Sequence, residues 1–440
     1  MTVKDNSADH VLSDTRRSSG IKLNPMLFLF VGAALWLASA IGLDPTNVPQ
    51  AQDFQRFHFP SIQRFAEKPF GDAIADYPAA PFPLFYVLGG WLYGATGSVL
   101  VLRAWTVGLA LGILLLVFGL ARRLAPQFRA NAQLAVALTL ASPYFRGQSV
   151  YANTDILALL FALAALYLVS DHALPFPAPR AASALVLACC AVYTRQFYVF
   201  MPAYILVRIY AYTPWKGRLG AAALCLALAA PVLALVVFWH GVTPPGFREH
   251  ATMPSITRSI PAVVLLLSFY AMPLAMVTAW RYREAFTTDL RSHRLQALIA
   301  PFFAIGAYLL LTGVAGVPEV TGGGMPLHFL RALPFPDHGR AILPAVGVAL
   351  GGSYLAYLVH QNPSRNSVIL LVALCFLPTG ILYQRYFDPL MPLLYTSVVS
   401  TREVSPATVS TALGLTVLFE LAIAAVAAAH YMTVFGSPSS

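Results

Sequence analysis

Long apolar runs separated by short polar joints recur along most of this 440-residue chain. The first covers residues 26–43 and follows a polar segment, 1–25, that carries Lys4, Arg16, Arg17 and Lys22. Others fall at 104–121, 131–149, 152–170, 181–195, 197–213, 219–239, 259–279, 295–313, 340–359, 367–384, 387–400 and 407–431. A helix needs about 20 mainly apolar residues to cross a bilayer, so these runs predict about 13 transmembrane helices. One stretch departs from the pattern. PFPLFYVLGGWLY (81–93) is apolar but short, which predicts an interfacial helix that does not span. Another is unusually polar: DFQRFHFPSIQRF (53–65) gathers an acid, two arginines, a histidine and two glutamines. Prolines at 78, 81 and 83 restrict the backbone that follows. Residues 44–103 are therefore expected to form an ordered outer loop. The fold class expected is an all-α polytopic membrane protein, with a cytoplasmic tail (1–25) and one transmembrane domain (26–440).

Composition sharpens this. The chain is 58% hydrophobic and 10% charged, against about 45–50% and about 25% for a soluble globular protein. That excludes a soluble two-domain enzyme. The net charge is +10, and 24 of the 28 basic residues are arginine. Seventeen of the 28 fall on cytoplasmic segments of the expected topology, as the positive-inside bias requires. The surplus thus needs no nucleic-acid partner. The outer eleven are ten arginines and one lysine, and arginine suits bidentate contact with phosphate. Ala38-Ser39-Ala40 leaves open a cleaved signal peptide in place of an anchor. Cys189, Cys190, Cys225 and Cys375 all lie in apolar runs without CxxC or Cys/His metal spacing. No disulfide, metal or other cofactor is expected.

Several polar residues could carry chemistry. Asp53, Asp72 and Asp76 lie in the outer loop, where an aspartate is either solvated or a general base toward a hydroxyl. On a helix, positions 53, 56, 57, 60 and 64 would share one face. In YANTDIL (151–157), Asp155 either faces the protein interior or, with Thr154, caps the following helix. In YTRQFYVF (193–200), Arg195 and Gln196 sit between two apolar runs. An arginine buried there needs an anion, either a phosphate or one of Asp53, Asp76 and Asp155. PDHGRAILP (336–344) and QRYFDPLMP (384–392) each join an arginine to an aspartate and prolines at the start of a run. Arg340 and Arg385 are placed to meet a phosphate there. Glu420, alone in the last run, is expected to make a structural hydrogen bond.

These residues occur in an order that resembles the dolichyl-phosphate-glucose-dependent alpha-1,2-glucosyltransferases. Those multi-spanning enzymes, of the GT-C class, add the last glucose to the lipid-linked N-glycan precursor. The likeness rests on Phe57-His58-Phe59-Pro60, Gln63-Arg64-Phe65, and Asp76 ahead of Pro83-Leu84-Phe85-Tyr86. It continues with Tyr151 before Thr154-Asp155, and with Thr194-Arg195-Gln196-Phe197-Tyr198. Arg385-Tyr386 with Pro389 and Pro392 resembles the closing segment of polyprenyl-phosphate-sugar transferases. The family's acidic pair falls at Phe54 and Gln55, one residue from Asp53, and its Thr-Asn after Arg-Gln is absent.

The resemblance implies a GT-C-type bundle and an inverting transfer of glucose or another hexose. The donor would be a polyprenyl or dolichyl phosphate, and the acceptor a lipid-linked or envelope glycan. Asp53, or else Asp76, would be the base. His58, Arg64, Asp155, Arg195, Gln196, Arg340, Arg385 and Tyr386 would bind substrate. An Ala/Leu/Arg-rich composition points to a bacterial inner membrane with a periplasmic site, or to the ER membrane in a eukaryote. The rival reading is a transporter or flippase for a lipid-linked sugar, without chemistry. Such proteins place ionisable groups at the midplane on broken helices within repeated halves, whereas here the acids crowd one outer loop and no repeat is visible. A structural subunit of an envelope-assembly complex is a third reading. Topology gives the first test: a cysteine introduced at Gly94 should react with an impermeant maleimide added from outside. Labelling from the cytoplasmic face alone would overturn the outer placement of 44–103.

Overall fold

The computed structural model describes residues 24–44, 48–124, 129–170, 177–250, 256–281, 351–359, 362–376, 384–397 and 406–435. The tail before residue 24, the run expected at 295–313, and Arg340 lie outside them. Every regular element among the described residues is helical. In chain order these are α1 (Pro25–Ala40), α2 (Val48–Asp53), a π-helical turn (Phe54–His58), α3 (Phe59–Glu67), α4 (Phe70–Ala75) and α5 (Leu84–Thr96). Next come α6 (Val99–Leu124), α7 (Arg129–Ala141), α8 (Pro143–Val150), α9 (Thr154–Val169) and α10 (Ala178–Thr194). A 3-10 turn (Gln196–Val199) leads into α11 (Phe200–Tyr212), followed by α12 (Trp215–Trp239) and a second 3-10 turn (Pro245–His250). After α13 (Ile256–Arg281) and a helical stretch at 351–359 come α14 (Pro363–Phe376) and a third 3-10 turn (Gln384–Tyr386). The last helices are α15 (Leu390–Ser397) and α16 (Pro406–Phe435).

Four of these helices, α6, α12, α13 and α16, are long and apolar enough to cross a membrane. The chain is an integral membrane protein by that measure. The described residues do not carry one straight span per apolar run, and the sequence shows why. The run at 131–149 is cut at Ser142-Pro143: Pro143 cannot continue a helix from α7, and Ser142 caps a new one by accepting from the Phe145 N–H at 3.1 Å. α8 and α9 then meet at a 112° bend across residues 151–153. The run at 197–213 opens with a 3-10 turn, which leaves α11 only 13 residues. α12 is the opposite case. It is apolar along 25 residues and packs on the core by one half-buried side, with Leu226, Leu233 and Val237 among its outward side chains. That surface belongs against lipid.

Residues 48–103, within the outer segment of the expected topology, are ordered by packing. α5, 13 residues long, spans about 20 Å, short of a full crossing. Gly97 ends it in the left-handed region at φ 63°. α5 lies on α3, where Ile62 is fully buried beside Gly89. Tyr77 and Tyr86 pack at 5.3 Å between ring centroids, and Trp239 of α12 meets Tyr77 edge-on at 5.8 Å. The Trp239 indole N–H donates to the Ile74 carbonyl at 2.9 Å. The outer segment is thereby fastened to the end of a membrane helix. A second fastening joins α1 to α8. Asp44 pairs with Arg146, Nε to Oδ2 at 3.1 Å, and the Ser39 hydroxyl donates to the same oxygen at 2.7 Å. Glu420, expected to make a structural hydrogen bond, is fully buried in α16 beside Asp388, and Arg146 acts electrostatically on both.

The α3–α5 contact is the tightest on the outer segment. A Cβ at Gly90 would stand 2.7 Å from Phe65 Cβ and 2.9 Å from its carbonyl carbon. At Gly94 it would meet Ala66 at an ordinary 3.7 Å. Gly90→Ala should therefore destabilise the protein by about 1–3 kcal/mol, the range for overpacking, while Gly94→Ala should be near neutral. Thermal unfolding in detergent separates them, and equal midpoints for the two variants would contradict this packing.

Candidate functional site

The polar block 48–67 forms an almost unbroken helical rod with one irregularity. Pro60 has no N–H to donate to the Arg56 carbonyl, so the regular ladder fails there. The chain widens into a π turn at Phe54–His58, with the Phe59 N–H donating to the Phe54 carbonyl five residues back. Such a turn aligns residues five apart. Asp53 and His58 come onto one side, instead of the expected 53, 56, 57, 60 and 64 stripe. Arg56 is exposed and lies over the Phe57 ring at 5.1 Å.

Asp53 pairs with Arg385, carboxylate Oδ2 to Nη1. The two side chains are 27% and 15% exposed, the most open ion pair of the site. His58 is buried, and its Nδ1 lies 2.8 Å from the Tyr86 hydroxyl of α5. Burial pulls its pKa down to about 3; Arg195 and Arg385 push the same way and Asp53 opposes them. His58 is therefore a neutral imidazole near pH 7, a hydrogen-bonding group and not a cation for phosphate. Burial lifts the Tyr86 hydroxyl well above its ordinary value, so it stays a phenol.

Behind this pair lies a second, deeper one, built where two helices break. α10 ends at Thr194, and Arg195 is extended at φ −150° and ψ 119° before the 3-10 turn. The α8–α9 break opposite it places Asp155 in the first turn of α9, where the helix dipole favours an acid. Arg195 Nε and Asp155 Oδ1 are 2.5 Å apart. Arg195 Nη1 donates to the Thr154 hydroxyl at 3.1 Å, and Gln148 Nε2 donates to Asp155 Oδ2 at 2.8 Å. Thr154 and Asp155 thus serve Arg195 and not a cap. The N-cap is Asn153, whose side chain makes no capping bond. Of the anions weighed for Arg195, Asp155 is the one in contact. Tyr386 joins the two pairs: Arg195 lies over its ring at 5.1 Å and Arg385 at 5.7 Å, with Phe197 4.3 Å from it on centroids.

Asp53, His58, Asp155, Arg195, Arg385 and Tyr386 therefore form one cluster of two carboxylates, two guanidiniums, a neutral imidazole and a phenol ring. The other expected residues among those described lie outside this cluster. Asp76 Oδ1 accepts from the Gly246 N–H. Gln196 Nε2 donates to the carbonyls of Ala80, at 2.5 Å, and Val242, at 3.1 Å. Both hold the outer segment to the loop after α12. Arg64 reaches the Asp72 carbonyl at 3.3 Å, and Asp72 is exposed. Sequence reading missed Tyr86, Gln148 and the π turn. The signal for the turn was present, as a proline two residues after the histidine within a helical pattern.

No protein-family model matches the chain, and no curated protein matches it. Among solved structures, it is similar to the crystal structure of ArnT from Cupriavidus metallidurans in the apo state. That match has 17% identity and a TM-score of 0.36, over 92% of this chain and 76% of that one. A TM-score at that level assigns neither fold nor activity.

The buried His58 carries a pH signature. Between its folded value of about 3 and its ordinary 6.5 the unfolded chain binds a proton that the folded protein does not. Stability then rises with pH across that window, and is lost as pH falls from 6.5 toward 3. The acid limb of the unfolding midpoint against pH should be shallower in His58→Gln. Superimposable acid limbs in the two proteins would show that His58 is not the buried neutral group described.

Proposed function

We propose that the chain is a GT-C-type inverting glycosyltransferase. It moves glucose or another hexose from a polyprenyl or dolichyl phosphate to a lipid-linked or envelope glycan acceptor at the outer face of the membrane. The observation that carries the reading is the open Asp53–Arg385 pair, set on the outer segment against a locked Arg195–Asp155 pair at the ends of apolar helices. The candidate base and the candidate phosphate ligand neutralise each other in the ion pair. An arriving donor phosphate offers Arg385 a bidentate partner. Asp53 is released in the same exchange and becomes an unpaired carboxylate beside the sugar.

The chemistry follows from that exchange. Asp53 takes the proton of an acceptor hydroxyl as its oxygen attacks the anomeric carbon. The bond from that carbon to the phosphate oxygen breaks, and its electron pair leaves with the phosphate, whose charge Arg385 holds. Attack and departure on opposite faces invert the configuration. His58 and Tyr86 stay neutral and direct hydrogen bonds. Tyr386, against both guanidiniums, fixes their spacing. Asp76, the second candidate base, is the poorer one, because the Gly246 N–H already occupies one of its oxygens.

A flippase without chemistry is favoured by one feature, the broken α8–α9 pair with an acid at the second half's start. The transferase reading requires that purified protein release free polyprenyl phosphate from a labelled lipid-linked sugar. A flippase leaves the donor intact. Asp53→Asn should fold yet lose about 10²–10⁴-fold in turnover. Arg385→Gln should weaken donor binding roughly 10- to 100-fold, from a lost charge-assisted bond of about 1.5–3 kcal/mol. Donor left intact by the wild type, or more than about a tenth of turnover kept by Asp53→Asn, would send the reading back to the flippase.

A further inference from the structure

Three arginines in the interior are each answered by an aspartate: Arg146 by Asp44, Arg195 by Asp155 and Arg385 by Asp53. Arg208 is the exception. It lies in the last turns of α11, is 6% exposed, and pairs with no carboxylate among the described residues. Its Nε is buried without a hydrogen-bond partner. Among the described residues, its charged neighbour is a second arginine. Arg365, in the first turn of α14, acts on it electrostatically, and Tyr204 is its hydrogen-bonding neighbour one turn back. The Arg208 guanidinium lies over the Tyr212 ring at 5.3 Å, and the Tyr212 hydroxyl is 3.4 Å from the Ser364 hydroxyl. The C-terminal end of α11 and the N-terminal end of α14 therefore meet at a cationic, hydroxyl-rich place.

This place is not the site already described. α11 begins next to Arg195 and reaches Arg208 eight residues further on, about 12 Å away along the axis. α14 ends at Phe376, which stacks on Tyr386 at 5.9 Å, and starts at the Arg365 end about 16 Å away. The two helices thus lead away from the candidate active site, and Arg208 and Arg365 stand at their far ends. A buried guanidinium beside a second one is costly unless an anion is present. Arginine forks match phosphate oxygens in a bidentate way, and basic places between helices at a membrane face take phosphate headgroups. Exposed, apolar α12 begins just after α11 and gives a lipid a surface to lie on.

We propose that Arg208 and Arg365, with Tyr204, Tyr212 and Ser364, form a binding site for a phosphate group between the ends of α11 and α14 that lie away from the Asp53 cluster. The phosphate can belong to an anionic lipid headgroup or be free in solution, and one experiment separates the two. The full chain in detergent is heated with added phosphatidylglycerol, phosphatidylcholine or inorganic phosphate, as wild type, Arg208→Gln, Arg208→Lys and Arg365→Gln. Phosphatidylglycerol should raise the wild-type midpoint beyond phosphatidylcholine. Arg208→Gln and Arg365→Gln should each need at least about tenfold more lipid for the same shift, one charge-assisted contact being worth that factor. Arg208→Lys should retain part of it. The same increment from inorganic phosphate alone, lost in the same variants, assigns the site to the free anion. The proposal falls if the wild type prefers neither, a result that needs no variant to fold. It falls equally if every variant that folds shifts as the wild type does.

Discussion

The buried pairing of Arg195 with Asp155 is the constraint on which the site depends. Each residue stands where a helix has broken, Arg195 after α10 and Asp155 at the start of α9. Broken backbone inside a membrane bundle is tolerated only where its polar groups find partners in protein or in a cavity. The ion pair, with Gln148 and Thr154 attached to it, ties the two breaks to each other through their side chains. Net stability is not the main gain, since desolvating two charges offsets much of their attraction. The gain is in register. Removing either partner would strand a buried charge at a cost of about 3–5 kcal/mol, so the two breaks are held opposite one another.

The Asp53–Arg385 pair has the same chemistry and a different setting. It joins the π turn of the outer segment to a 3-10 turn near the end of the chain, and both side chains are partly exposed. A partly exposed pair exchanges partners at less cost than a fully buried one, because water reaches the carboxylate and screens part of the attraction. One cluster therefore holds a pair that fixes geometry and a pair that can open. The neutral His58 between them keeps the charge balanced. A protonated imidazole beside two guanidiniums would be repelled by both, as their lowering of its pKa shows.

What the sequence revealed followed the strength of the physical signal behind it. Long apolar runs gave the helical membrane class, and the short run at 81–93 gave α5. The need of a buried arginine for an anion led to Asp155 among the choices for Arg195. Helix breaks were harder to see. Ser142-Pro143 lies inside one apolar run, and hydropathy does not register where a run bends. The stripe of positions 53, 56, 57, 60 and 64 assumed a regular helix, and Pro60 undid it by withholding one N–H. Asp76 and Gln196 were singled out by the resemblance, and the sequence could not show that they also brace the outer segment. Their partners, Gly246 and Val242, are some 170 and 46 residues away in the chain, and nothing local announces such pairings.

The arrangement also decides which arginine is available to a ligand. Arg195 has its charge answered by Asp155, a further donor bound to Thr154, and its flat face against Tyr386 and Phe197. A phosphate reaching it would have to displace a carboxylate held by both Gln148 and the α9 dipole. Arg385 and its aspartate form the more exposed pair, and the helix that carries Asp53 ends at that residue and passes into the π turn. Partner exchange in this cluster therefore begins at Arg385, and any anion that binds there acts on Asp53 first. The acid most able to change its state is thus the one on the outer segment, coupled to the anion by direct competition for one guanidinium.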